Sequence, residues 1–285
     1  MLKSTFAAVL ALAAASAGAV PLVGITSSNE IARFDSSNVA AATRTAITGL
    51  AAGDRFVGID LRPGNNQIYG ITLSNKLYTV NELTGAASFV ASLSMPVINA
   101  SLGYGIDFNP VADFSGSTSL RLVSSAGNNY AINANTGVVA FSGSIASGFS
   151  GVSYSNSTPL PSSAPASTTL YYIDSSSDML MKATSAFNAP VISAVGALGI
   201  DVLKANGFEV LANGMAFAAL NLDAGTSLTT GLYGIDLSTG AATALGSFNG
   251  TLSGLTVSAV PEPQTLALML AGLLAVGGKL RRRAV

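Results

Sequence analysis

The 285-residue chain contains no cysteine, no histidine and no tryptophan. Without cysteine no disulfide can form, so packing alone must hold the fold. A body of about 240 residues is long enough to bury a sizeable core. The missing His and Cys remove the usual ligands of zinc, copper and haem. They also remove the imidazole base that Ser-His-Asp and Cys-His nucleophiles require. Only carboxylate or lysine chemistry, or an oxygen-ligated cation, stays open. Charge is scarce as well. Asp, Glu, Lys and Arg make up 9% of the chain, against about 25% in ordinary soluble domains. Ser, Thr, Asn, Ala and Gly fill the solvated positions instead, which suits an exported surface protein. We therefore expect no catalytic set, no cofactor and no resident metal.

Both ends read as processing segments. Lys3 supplies a positive start, Phe6 to Ala15 an apolar stretch, and small residues follow. Residues 1–19 have the layout of a signal peptide, with cleavage after Ala17 or, preferred here, Ala19. At the other end, Val260-Pro261-Glu262-Pro263-Gln264 leads into the apolar run 265–278 and then Lys279 and Arg281-Arg282-Arg283. Fourteen helical residues would span roughly 21 Å, short of the ~30 Å hydrocarbon core, and the arginines would stay cytoplasmic. Trimming the chain to roughly 20–262 removes five of its 13 basic residues and none of its 14 acidic ones. Eight against 14 leaves a formal charge of −6, which offers no basic face for nucleic acid.

This tail, residues 260–285, resembles the PEP-CTERM sorting signal of Gram-negative, biofilm-forming bacteria. The resemblance rests on Pro261, Glu262, Pro263, the single apolar run and Arg281, Arg282 and Arg283. It implies processing by exosortase, a transient inner-membrane anchor through a C-terminal helix, and delivery to the outer surface or matrix. Proteins with this tail tend to accompany exopolysaccharide synthesis.

Between the ends, a Gly-apolar-polar-apolar tetrapeptide recurs at Gly58, Gly105, Gly151, Gly207 and Gly254, at steps of 47, 46, 56 and 47. Three more strand-like runs follow most copies, for example 67–71, 76–80 and 87–91. Turn residues separate them, at Pro63 to Asn66, Ser74-Asn75 and Thr84-Gly85. The third strand recurs around Tyr130 and Tyr233, each followed by Thr-Gly, at Thr136-Gly137 and Thr239-Gly240. Four strands at this period predict an all-β five-bladed β-propeller over residues 20–259. The N-terminal strands within 22–50 lack a first strand, and 252–258 is a first strand without followers. The two fragments should therefore complete one closing blade, which also hides sheet edges. An irregular β-sandwich or an open solenoid is the competing reading. The order of Gly-Ile-Asp-Phe, Leu-Tyr-x-Ile-Asp and Thr-Gly elements resembles the DUF4394 family over about residues 22–257, which implies a propeller-like fold and, since none are established for that family, carries over no catalytic residues. The unit starting at Gly151 departs from the pattern, with an insertion at 155–169 and no Tyr in its third strand.

The third residue of each tetrapeptide is polar: Asp60, Asp107, Ser153, Glu209 and Thr256. In a propeller these five would form a ring on the central channel. The ring could cap backbone amides and fix the blades, or hold a hard cation such as calcium. Asp60 with Asp107 is the pair that glycoside chemistry would need. Asp174 and Asp178 read as a solvated turn. The Pro- and Ser-rich insertion 155–169 reads as a mobile loop, open to O-glycosylation. Tyr69, Tyr78, Tyr130, Tyr172 and Tyr233 read as packing between blades rather than as sugar-stacking platforms.

These features lead us to expect an exported, non-enzymatic envelope or matrix protein, structural or adhesive, with exosortase and then exopolysaccharide or matrix proteins as partners. The alternatives are a secreted carbohydrate enzyme using the channel carboxylates and a calcium-stabilised binding module.

Overall fold

A computed structural model describes residues 19–117, 119–222 and 229–259. In chain order the strands are β1 (Pro21–Thr26), β2 (Glu30–Asp35), β3 (Asn38–Ala46), β4 (Phe56–Arg62), β5 (Gln67–Thr72), β6 (Lys76–Val80), β7 (Ala87–Ser92) and β8 (Tyr104–Phe108). The short helix α1 (Pro110–Phe114) comes next. Then follow β9 (Leu120–Ser124), β10 (Asn128–Ile132), β11 (Val139–Ser144), β12 (Phe149–Tyr154), β13 (Leu170–Asp174), β14 (Met179–Ala183) and β15 (Ser193–Ala197). The last five are β16 (Lys204–Val210), β17 (Ala216–Leu222), β18 (Thr229–Ile235), β19 (Ala242–Phe248) and β20 (Leu252–Val257).

They form five antiparallel four-stranded sheets, in the orders β4-β5-β6-β7, β8-β9-β10-β11, β12-β13-β14-β15, β16-β17-β18-β19 and β20-β1-β2-β3. This is a five-bladed propeller, not a sandwich or a solenoid. The last sheet joins the two chain ends, with Leu22 opposite Val257 and Gly24 opposite Leu255. The unit starting at Gly151 also builds a regular blade despite its insertion. Among the described residues no helix is long and apolar enough to cross a membrane. The expected signal helix, the C-terminal membrane helix and Pro261, Glu262, Pro263, Arg281, Arg282 and Arg283 lie outside the described residues, as does Ala17.

The repeated glycine has a packing cause. A methyl on Gly105 would sit 2.8 Å from the Val152 amide nitrogen, and one on Gly254 would sit 3.1 Å from that of Ile59. Gly58 faces Ile106, Gly151 faces Phe208 and Gly207 faces Leu255 in the same way. Each first strand thus presses its glycine against the first strand of the next blade, and the series closes on itself. The Thr-Gly turns do the same at the rim. Gly85 has φ +71°, Gly137 +73° and Gly240 +86°. A side chain on them would collide with the carbonyl oxygens of Ala46, Ser92 and Gly196 on the preceding blade.

The apolar core is divided among the blade interfaces. One cluster holds Tyr69, Leu77, Ile106, Phe108 and Leu122, from the first two complete blades. Four further clusters follow around the ring, the one at the closing blade joining Val23 and Ile31 to Ile59 and Tyr78. All five pairings of third with fourth strand carry a register shift. Such bulges twist an exposed edge away from further pairing. They stand in for charge on outer strands whose only charged residue is Arg44.

Candidate functional site

The five polar residues of the first strands are all buried around the propeller axis. Asp60, Asp107, Ser153 and Thr256 each accept the backbone N–H of the residue that follows their counterpart in the next blade. Phe108 N donates to Asp60 Oδ2 at 2.7 Å, Tyr154 N to Asp107 Oδ1 at 3.0 Å and Val210 N to Ser153 Oγ at 2.9 Å. Glu209 lies beside the Val257 amide and takes the Thr256 hydroxyl at 2.9 Å. Leu61 N donates to Thr256 Oγ1 at 2.9 Å, which closes the circle. Side chains add a second layer, because Ser153 Oγ donates to Asp107 Oδ2 at 2.9 Å. Strands packed by their glycines thus leave their inner amides pointing across the interface, and the ring residues satisfy them.

The electrostatics are those of a crowded, dry cluster. Asp60, Asp107 and Glu209 bring carboxylate oxygens within 4.8 Å of one another. Burial raises the Asp60 carboxyl well above its ordinary range, and the charge of Glu209 adds to this. Burial, then Asp60 and Glu209, raise Asp107 well above its range too. Burial pushes Glu209 up to about 7. Thr256 Oγ1 lies 3.0 Å from Asp60 Oδ1 and 2.9 Å from Glu209 Oε2. One hydroxyl proton serves only one of these contacts, so a proton on a carboxyl must serve the other. Protons shared among like charges are the ordinary outcome at such spacing. A calcium ion asks for six to eight oxygens. Here the oxygens turned toward the next blade already accept amide protons, which favours the capping role.

Where the composition led us to expect a mobile loop, hydrogen bonds hold residues 155–160 and 167–169 of the insertion. Ser155 pairs with Thr168 and Thr169, Asn156 with Ser167, and Ser157 bridges to Leu211. Leu160 N donates to Pro63 O at 2.8 Å. Pro63 belongs to a blade that is not adjacent to its own, so the segment crosses the end of the channel. Backbone hydrogen bonds replace the apolar anchors that its composition lacks. Beneath it lies a cavity of about 180 Å³, lined by Val20, Leu61, Pro159, Leu211 and Val257, with Glu209 at its wall.

Other candidates take structural places. Asp174 is largely buried and accepts from Ser176 and Ser177. Asp178 Oδ1 accepts from Val202 N at 2.8 Å, so this turn is fixed to the following loop rather than merely solvated. Tyr69, Tyr78, Tyr172 and Tyr233 are buried and Tyr130 is partly buried. Tyr69 packs against Phe108 of the next blade, whereas Tyr78 and Tyr172 pack against Phe56 and Phe149 of their own.

Sequence reasoning missed three groups. Arg62 forms a buried ion pair with Asp113 of α1 at 2.7 Å and lies over the Tyr69 and Phe108 rings. Arg121 is buried in the second complete blade. Glu82 accepts from Ser258 Oγ and from Ala259 N, both at 2.7 Å, and pairs with Arg33. It therefore holds the chain at the point where the C-terminal segment begins. No spacing links these residues to their partners in the sequence.

No curated protein matches this chain. Solved structures share the architecture only distantly. A protein from Bacteroides uniformis, provisionally assigned as a 6-phosphogluconolactonase, is 8% identical with a TM-score of 0.42 over 81% of this chain and 82% of its own. Regucalcin from Agrobacterium tumefaciens, a calcium-binding protein, is 13% identical with a TM-score of 0.40 over 78% and 68%. A protein of unknown function from Bacteroides thetaiotaomicron is 13% identical with a TM-score of 0.45 over 80% and 58%. At this distance none of them transfers an activity. Residues 259–283 match the PEP-CTERM protein-sorting motif, which marks proteins exported and sorted by exosortase. Over residues 30–256, from the start of β2 in the closing blade to the last residue of the axial ring, the chain matches the model of DUF4394, a domain of unknown function, and it belongs to that family.

Proposed function

We propose that this protein is a non-enzymatic propeller of the cell envelope or extracellular matrix that binds exopolysaccharide or matrix protein after sorting. In this reading residues 1–19 are removed on export and residues 20–259 form the body. Residues 260–285 anchor it in the inner membrane until exosortase acts. One observation carries the reading: the sorting motif begins two residues after β20, the strand that closes the propeller. Cleavage beyond Ala259 would leave the closed body whole, with Glu82 still holding its last residues. The channel carboxylates support a structural role, since backbone amides of neighbouring blades occupy them.

Mass spectrometry of the mature C-terminus, in strains with and without exosortase, tests this. Processing near Pro261 to Pro263 with release to the surface is expected only when exosortase is present. An intact tail in both strains, with the protein retained in the cytoplasm, would refute it.

A second reading has one specific observation in its favour. A carboxyl pushed to about 7 at the wall of a cavity is what a general acid on carbohydrate would require. Turnover of an exopolysaccharide that Glu209→Gln abolishes would establish that reading in place of the first.

A further inference from the structure

Position by position, the five blades offer an internal comparison. The residue paired with the axial residue across the first two strands is Tyr69 opposite Asp60, Tyr171 opposite Ser153, Phe217 opposite Glu209 and Val23 opposite Thr256. Four blades thus use an aromatic or aliphatic side chain there. The remaining blade has Arg121 opposite Asp107. The scaffold evidently does not need a cation at this position.

Arg121 is 5% exposed, and no carboxylate lies within ion-pair distance of it among the described residues. Asp107, the nearest acid by register, is engaged by the Ser153 hydroxyl and the Tyr154 amide. The guanidinium instead donates to neutral groups: Nε to Tyr154 Oη at 3.2 Å, one terminal nitrogen to Asn129 Oδ1 at 2.9 Å and the other to Asn188 Oδ1 at 3.0 Å. Those three bonds leave two of its five N–H groups over. A buried charge without a counter-ion is costly, and a carboxylate presented in the plane of the fork is its best complement.

The surroundings form a built pocket. Arg121 lines a surface depression of about 470 Å³ together with Asn109, Phe141, Phe187 and Asn188. Asn129 Nδ2 donates to the carbonyls of Phe187 and Asn188 at 3.0 and 3.2 Å, which fixes the loop bearing both. The Phe187 ring meets Tyr154 edge-on at 5.0 Å. The Asn109 side chain lies beside the Tyr154 hydroxyl. The hydroxyl of the fully buried Tyr172, within electrostatic reach of Arg121 and Tyr154, has no partner among the described residues. A fixed cation, two carboxamides and two partly buried aromatic rings are the elements that recognise an acidic sugar. The fork takes the carboxylate, the amides take hydroxyls, and a ring takes the apolar sugar face.

We propose that Arg121 anchors the carboxylate of a uronate-bearing saccharide in this pocket between the second and third complete blades. This rests on the reading of the body as a polysaccharide-binding module and names the ligand class. The test is calorimetric titration of the full-length chain in mild detergent. The probes are oligomers of galacturonate, of mannuronate and of hyaluronan, each beside its carboxyl-reduced, neutral counterpart. At least one acidic oligomer is expected to bind, more weakly as salt rises. Its affinity should fall about tenfold or more on carboxyl reduction or in Arg121→Met. Asn188→Ala, a change in an exposed loop, should give a smaller loss in the same direction. If Arg121→Met does not fold, by circular dichroism, the reduced probes and Asn188→Ala decide. No binding by any acidic oligomer overturns the proposal, as does equal binding of acidic and reduced forms. In the second case saccharide binding itself survives and only the anchor falls. If nothing binds yet the protein still co-fractionates with matrix, the envelope role stands on a different partner.

Discussion

The axial carboxyls make the stability of the body fall as pH rises. In the unfolded chain Glu209 loses its proton near 4.5, and in the propeller it keeps it up to about 7. Between these values the folded state binds more protons than the unfolded state, so stability decreases with pH. Below about 4.5 the contribution is fully present, and above about 7 it is gone. A shift of this size corresponds to roughly 3 kcal/mol. Asp60 and Asp107 are raised for the same physical reasons, so the slope extends in the same direction, with the three carboxyls titrating as a set. For a body of this length, 3 kcal/mol is about 6–12 °C in Tm. The assay is thermal unfolding of the processed protein at constant ionic strength from pH 4.5 to 8. Glu209→Gln keeps the shape, stays neutral, and should flatten much of the curve while matching or exceeding the wild type at pH 8. A Tm that is flat or climbs across this range, or a Gln variant with an undiminished slope, would refute the assignment of shared protons to the ring.

Thr256→Val should cost about 1–3 kcal/mol, because it removes the hydroxyl that joins Leu61 N, Asp60 and Glu209, while Thr256→Ser should be close to neutral. Urea unfolding of both variants checks this. Gly85→Ala should cost about 2 kcal/mol or more, since it combines a left-handed φ with a collision at Ala46. Gly116→Ala, at a similar φ of +72° but in open space, should cost only about 1 kcal/mol, and equal losses at the two sites would remove the packing argument. Asp113→Ala leaves Arg62 buried without its partner and should cost about 3–5 kcal/mol, read from the same unfolding curves.

The architecture was legible because its determinants are local and repeat. Glycines at steps near 47 mark where first strands touch. Alternating apolar residues mark strands, and Thr-Gly marks the rim turns, so blade number and ring closure followed from chain order alone. The axial ring was also legible as a set of residues, Asp60, Asp107, Ser153, Glu209 and Thr256, because strand periodicity places every third tetrapeptide residue on the same face. Its chemistry was not. Whether those oxygens would meet a cation, a substrate or a backbone amide depends on how closely neighbouring blades approach.

The remaining features belong to the tertiary structure because their partners lie far apart in the chain. Arg121 reaches Tyr154 and Asn188, Pro63 receives Leu160, and Glu82 holds Ala259. A single strand-forming segment gives no hint of such pairings, since its pattern encodes which face is buried and not what waits across the interface. Sequence by itself determined the blades, their number and the sorting motif at residues 259–283. Only the packed ring decided which polar groups were left facing one another, because desolvation and hydrogen bonding are set by neighbours that the chain brings together from distant positions.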